Sequence, residues 1–160
     1  RSPSWDLSAH SVELLLKHGF VYDSSMMGDD YTPYRVRRGD VIELEKPAVF
    51  GETTRLIEMP VSWTLDDYPQ FEFIRTPTWI LQGLANANNV LENWIDDFLY
   101  LRDNLEWGVI TYTFHPFVIG RGHRMMALDK LLRTLRENGA VFMKLEDAAA
   151  EYDRRQPFGK

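Results

Sequence analysis

Apolar residues recur along this chain at two different intervals. Helical spacing comes first from Ser8 to His18, where Val12, Leu15 and Leu16 share a face, Ser8 is a candidate N-cap and Gly19 stops the run. It returns from Val90 to Leu105, behind the cap offered by Asn86 to Asn89, with Leu91, Trp94, Ile95, Phe98, Leu101 and Leu105 as the buried face. Another stripe, Met125, Leu128, Leu131, Leu132 and Leu135, follows Gly120 and Gly122 and is closed by Asn138 and Gly139. Leu145 to Arg155 reads as an Ala-rich closing helix, before a tail from Gln156 to Lys160.

Strand-like runs lie between these stripes: Phe20 to Asp23, Leu56 to Met59 ended by Pro60, Val109 to Phe114, and Ala140 to Lys144. Tyr31 to Tyr34 reads as extended and Asp40 to Glu45 as an edge strand or hairpin arm. Every residue from Val109 to Phe114 is β-branched or aromatic, the composition of a strand packed into a sheet. Pro116 ends that run, since it cannot donate to a ladder and keeps the preceding residue out of helix. His115 is thereby left at the carboxyl end of a strand, the edge at which ligands gather in α/β folds. Position alone is equally compatible with an imidazole satisfied by nearby backbone. Strands alternating with helices predict an α/β fold, with a parallel sheet or part of a barrel, in a single domain spanning 1–160.

Composition narrows the partners. The 160 residues are 44% hydrophobic and 26% charged, ordinary for a globular protein, and carry a net charge of −6. Nucleic acid and anionic membrane surfaces both require a basic face, so neither is expected. No apolar run approaches membrane-spanning length. The absence of Cys removes disulfides and thiolate metal sites and is compatible with a cytoplasmic location. The first residues, Arg1-Ser2-Pro3, lack an initiator Met, and the chain reads as a piece of a longer polypeptide.

The chemistry centres on few residues. No Gly-rich phosphate loop, His-Glu-x-x-His or Gly-x-Ser-x-Gly motif is present. None of the four His, at 10, 18, 115 and 123, makes an i, i+3 or i, i+4 pair, so no metal site is expected within the chain. His10 and His18 read as structural, and Arg35 to Arg38 as a solvated basic edge, with contact to an anionic ligand as the alternative. Arg121 and Arg124 read as residues riding on acidic neighbours, with holding an anionic group as the alternative. The loop from Val61 to Pro69 sets Asp66 and Asp67 beside Trp63 and Tyr68. A carboxylate bonded to an imidazole stabilises its protonated form, so one of these acids could make His115 a general acid for the departing nitrogen of an amide. Arg1, on another strand end, could keep a second carboxylate ionised as a base.

These residues carry a family resemblance. Arg1-Ser2-Pro3-Ser4-Trp5 resembles the Arg-x-Pro segment of the polysaccharide deacetylases, the NodB-homology domains of carbohydrate esterase family 4, and Thr113-Phe114-His115-Pro116 resembles their late-strand His. Leu14 to Phe20, Tyr22 to Met27, Tyr31 to Tyr34, Glu58-Met59-Pro60 with Trp63, Leu65-Asp66-Asp67, and Ile119 to Arg124 are similar to the peptidoglycan-deacetylase-like and allantoinase-like subgroup, which is bacterial in expectation. The resemblance implies the C-terminal part of a distorted, seven-stranded β/α barrel. It implies a hydrolase of non-peptide carbon–nitrogen bonds, with an amino-sugar polymer as substrate and a small cyclic amide, imide or ureide as the alternative. By the same resemblance His115 is the general acid, Asp66 or Asp67 its partner, and Arg1 the residue orienting the base. Trp63 walls the groove, and Trp5, Tyr68 and Pro116 are further substrate-binding candidates. The base and any divalent metal, zinc or similar, belong to a preceding portion. This chain alone is expected to be inactive and to pair with its missing half, another copy of itself or a partner chain, with a homo-oligomer expected.

Overall fold

The structure, a computed structural model, describes residues 1 to 159. Its elements in chain order are α1 (Ser11–Lys17), β1 (Tyr22–Asp23), β2 (Tyr34–Arg38), β3 (Glu52–Glu58), α2 (Asp67–Phe71), β4 (Ile74–Arg75), β5 (Ile80–Leu81), α3 (Ala87–Asn104), α4 (Pro116–Ile119), α5 (Gly122–Glu137) and α6 (Leu145–Arg155). Single 3-10 turns cover Pro3–Trp5 and Trp63–Leu65. The fold is mixed α/β. Its residues fall into two compact units, Arg1–Pro60 with Met143–Lys160, and Val61–Phe142.

The first unit holds a three-stranded sheet in the order β1-β3-β2. β1 and β3 run parallel, Asp23 opposite Glu58, whereas β2 pairs antiparallel with β3, Tyr34 opposite Glu58. The sheet is thus mixed rather than all-parallel. Leu56, Ile57 and Glu58 are buried in succession, the pattern of a strand covered on both faces. The expected basic edge, Arg35 to Arg38, is β2 itself, and its arginines are paired. Arg35 donates to Arg55 O (2.7 Å), pairs with Asp153 of α6 and lies 5.5 Å over the Tyr152 ring. Arg37 meets Asp40, and Arg38 meets Glu52.

The second unit is built on α3 and α5. Asn86 caps α3 by accepting from Asn88 N, as the Asn-rich entry predicts. Trp94, 3% exposed, is its hub: the indole N–H donates to Thr64 O (2.8 Å), and Trp94 O accepts from Tyr112 Oη (2.7 Å). Its ring meets those of Phe71 and Phe114 edge-on. One side chain therefore fastens both segments that carry the candidate acid and carboxylates.

Four sequence expectations are corrected. Val109 to Phe114 is not a strand; among the described residues its one ladder contact is an isolated parallel bridge of Thr113 to Asp66. The segment beside it turns at once into the Trp63–Leu65 turn and α2, so there is no straight neighbour for a second rung. Ala140 to Lys144 is likewise not a strand; Val141, Phe142 and Met143 are exposed and no described residue pairs with them. Asp40 to Glu45 forms a loop with one bridge, Val41 to Val49, rather than an edge strand. On α5, Met125 and Leu132 are exposed while Arg124 and Ala127 join Leu131 and Leu135 inside. Leu128, Leu131 and Leu135 keep their predicted places on the core, and its first position is taken by the cation Arg124 instead of Met125.

Glu58 makes the first unit sensitive to pH. The carboxyl is fully buried; Oε1 accepts from Ser25 N (2.5 Å) and Met26 N (2.7 Å), while Oε2 has no partner among the described residues. Burial first, and Asp23 next to it, push its pKa up from 4.5 to about 7 against the pull of those two amides. A raised carboxyl pKa means the folded state binds the extra proton, so its stabilisation is complete below 4.5 and lost as pH rises through 7. Chemical denaturation across this window should show Glu58→Gln losing up to about 3 kcal/mol less stability than the parent. Identical slopes for the two proteins would contradict this assignment.

Candidate active site

The site grows from the hand-over between the Trp63–Leu65 turn and α2. Ser62 caps the turn through Thr64 N, and Asp66 caps α2 by accepting from Tyr68 N at 2.7 Å. With Asp66 spent on that cap, Asp67 becomes the first residue of α2 and faces the neighbouring extended segment. Asp67 N donates to Thr113 O (3.0 Å) and Thr113 N to Leu65 O (2.9 Å), which sets the register between the segments.

That register brings His115 onto Asp67. The His115 backbone N–H is shared between Oδ1 (3.1 Å) and Oδ2 (3.0 Å), and Nδ1 lies 2.7 Å from Oδ1. A carboxylate can only accept, so Nδ1 carries the proton. Asp66 Oδ1 is farther, 3.7 Å from Nδ1. Of the two candidate carboxylates, Asp67 is the partner of His115. Asp67 is 0% exposed and the imidazole 35%, so the charge lies inside and the ring edge reaches outward. Nε2 has no partner among the described residues. Pro116 opens α4 just after the imidazole, and Gly120 closes it where a Cβ would meet Pro116 O at 2.4 Å.

Aromatic rings frame the imidazole. Tyr68 stands 5.4 Å from it and Phe117 5.7 Å, both tilted, and Trp63 is exposed on the adjacent turn. Phe117 was missed by sequence reading; it lies in the apolar run Pro116-Phe117-Val118-Ile119, in which Val118 and Ile119 are buried and Phe117 is turned out. Arg1 and Trp5 belong to the first unit. There Arg1 Nη2 donates to Ser24 Oγ (2.8 Å), and the guanidinium lies 5.9 Å over the Trp5 ring.

Comparison with known proteins bears on this arrangement. The chain is 33% identical to a peptidoglycan deacetylase of Helicobacter pylori, over 98% of its own length and 57% of the relative's. It is 26% identical to a peptidoglycan deacetylase-like protein of Gibberella zeae, covering 95% of the chain and 50% of that protein. A crystal structure assigned to a polysaccharide deacetylase of Mycobacterium smegmatis superposes with a TM-score of 0.76 at 27% identity, over 98% of this chain and 49% of that one. The chain is thus similar to polysaccharide deacetylases over nearly all of its own length. A second such structure, from Pseudomonas aeruginosa, shares the fold, with a TM-score of 0.67 at 24% identity over 93% of this chain and 44% of that one. No family model matches. The chain thus spans about half the length of the deacetylases it resembles.

For a chain with this likeness, the donor set raises the question of a metal. Asp66, Asp67 and His115 each offer a ligand atom, all within 4.8 Å of one another, a grouping invisible in spacing because 48 residues separate the acids from the imidazole. Two carboxylates and an imidazole suit a divalent cation in type. The geometry observed is nonetheless that of a proton shared on Nδ1, and Nδ1 cannot hold that proton and give its lone pair to a cation. Asp66→Ala should cost about 1 kcal/mol of stability as a lost cap yet keep the Nδ1–H tautomer of His115. Asp67→Ala should instead abolish that tautomer preference in imidazole nitrogen spectra. The same tautomer response from both variants would dissolve the distinction between the acids.

Proposed function

We propose that this chain carries the proton-donating half of an amide hydrolase that removes N-acetyl groups from an amino-sugar polymer. The observation that carries the reading is the 2.7 Å contact between His115 Nδ1 and Asp67. It commits one ring nitrogen to the protein interior and reserves Nε2 for substrate, the division of labour a general acid needs. The names of the relatives, peptidoglycan and polysaccharide deacetylases, supply the substrate class.

In this reading water adds to the acetamide carbonyl carbon, and the carbon–nitrogen bond then breaks as nitrogen takes the proton from His115 Nε2. The products are acetate and the free amine, and Nε2 is reprotonated from solvent. Asp67 holds the ring in place throughout and balances the imidazolium. Trp63, Tyr68 and Phe117 offer faces to the sugar ring, and Pro116 acts by fixing the backbone of His115. Trp5 is a further aromatic candidate for substrate, carried by the first unit. The base that takes the proton from water lies outside this chain, with Arg1 orienting it. A divalent metal such as zinc, held by residues of that other portion, would polarise the carbonyl and the attacking water. The fold we propose is the C-terminal part of a seven-stranded NodB-type barrel, completed by the other half of the same polypeptide; the twofold greater length of the relatives supports this.

In the full-length protein His115→Ala should lower kcat on acetylated amino-sugar oligomers by about 10²–10⁴-fold with little change in KM. An unchanged rate returns His115 to a structural role, and turnover of a cyclic imide in place of the oligomers reassigns the substrate. Micromolar zinc added to the 160-residue chain should leave the His115 imidazole signals unmoved, whereas saturable shifts would make the Asp66–Asp67–His115 grouping a cation site.

A further inference from the structure

We infer that Arg124 is a positioning residue for the Asp67–His115 pair: one guanidinium holds α2 and α4 together and so fixes the separation of the two side chains. Asp67 opens α2 and His115 immediately precedes α4, so the pair is only as well placed as these helices. Both are single turns, of five and four residues, too short to keep their geometry unaided. The last carbonyls of a helix have no partner within it. Arg124 supplies partners to both helices, with Nη1 donating to Val118 O of α4 at 2.8 Å and Nη2 to Phe71 O of α2 at 3.1 Å.

Packing alone does not call for an arginine here. Arg124 occupies a core-facing place on α5, 7% exposed, where the neighbouring turns carry Ala127, Leu131 and Leu135. A buried cation is expensive unless charge and hydrogen bonds offset it. Glu72, 3.5 Å from Nη1, provides the counter-charge, and the face of the Phe71 ring lies 4.8 Å from the guanidinium carbon. The two nitrogens that reach the carbonyls belong to one planar group, so the separation of the two donors is fixed by covalent geometry and restricts where the carbonyls can sit. A lysine ammonium is a point charge on a flexible stem and imposes no such spacing. The catalytic part of the following test rests on the deacetylase reading; the spectroscopic part does not.

The test uses Arg124→Lys and Arg124→Met in the full-length protein, with imidazole nitrogen spectra and steady-state kinetics on acetylated amino-sugar oligomers. Loosening the clamp should convert the single Nδ1–H state of His115 into an exchanging mixture in both variants. It should also lower kcat about tenfold to hundredfold, with KM within twofold. Arg124→Lys keeps the charge and most of the stem, so it decides the matter if Arg124→Met does not fold. A folded Arg124→Lys protein with an unchanged His115 spectrum overturns the inference. If the parent shows no deacetylation while the spectra respond as expected, the proposed reaction fails and the positioning role stands.

Discussion

Both oxygens of a fully buried carboxylate, Asp67, are committed to a single residue, His115, and the second unit is arranged around that commitment. An unpaired charge at this depth would cost several kcal/mol, whereas a bonded one is strengthened by the low dielectric around it. The backbone N–H of His115 and its Nδ1–H arrive from the same side because Thr113 is locked to Leu65 and Asp67 two residues earlier. Trp94 then ties the turn through Thr64 and the extended segment through Tyr112, so α3 underwrites the register. Local sequence sets the caps, packing sets the register, and the register sets which ring nitrogen faces out.

Glu58 in the first unit shows what the same burial does without a full set of donors. Its Oε1 receives two backbone amides, yet Oε2 meets none, and the group is held protonated up to about 7. Both carboxylates are wholly removed from solvent, and they differ in the partners that meet their oxygens. Burial by itself therefore does not mark a reactive acid. What distinguishes the Asp67 site is a titratable partner with a second, unengaged nitrogen reaching toward solvent.

Much of this was legible in the sequence where the signal is local. The cap at Asn86, the stop at Gly19, the break at Pro116, the stripe of α3 and the Ala-rich run of α6 depend on residues within a turn of one another. What failed was non-local. β-branched and aromatic composition marked Val109 to Phe114 as a strand, but a strand is a relation between segments and, among the described residues, only Thr113 found its neighbour. Ala140 to Lys144 failed for the same reason. The short hairpin of β4 and β5, paired through Ile74 to Leu81 and Arg75 to Ile80, passed unnoticed because two-residue strands leave no periodicity. Arg124 was read as riding on an acid, and Glu72 is there, but nothing in spacing announces two carbonyls 53 and six residues away.

The pair Asp66-Asp67 shows how an ambiguity in sequence is resolved by backbone chemistry. Read as charges, the two acids are interchangeable partners for His115. Read as helix positions they are not: the residue that caps α2 must turn its carboxylate back onto the first-turn amides, and Asp66 does so at Tyr68 N. Its neighbour, one residue into the helix, has no cap to serve and points its oxygens elsewhere. Pro69 within the first turn supports this frame, because proline is tolerated where helix amides lack intrahelical acceptors. Where adjacent acids open a helix, the first is spent on the backbone and the second is available for chemistry, and here that second acid is the one that holds the imidazole.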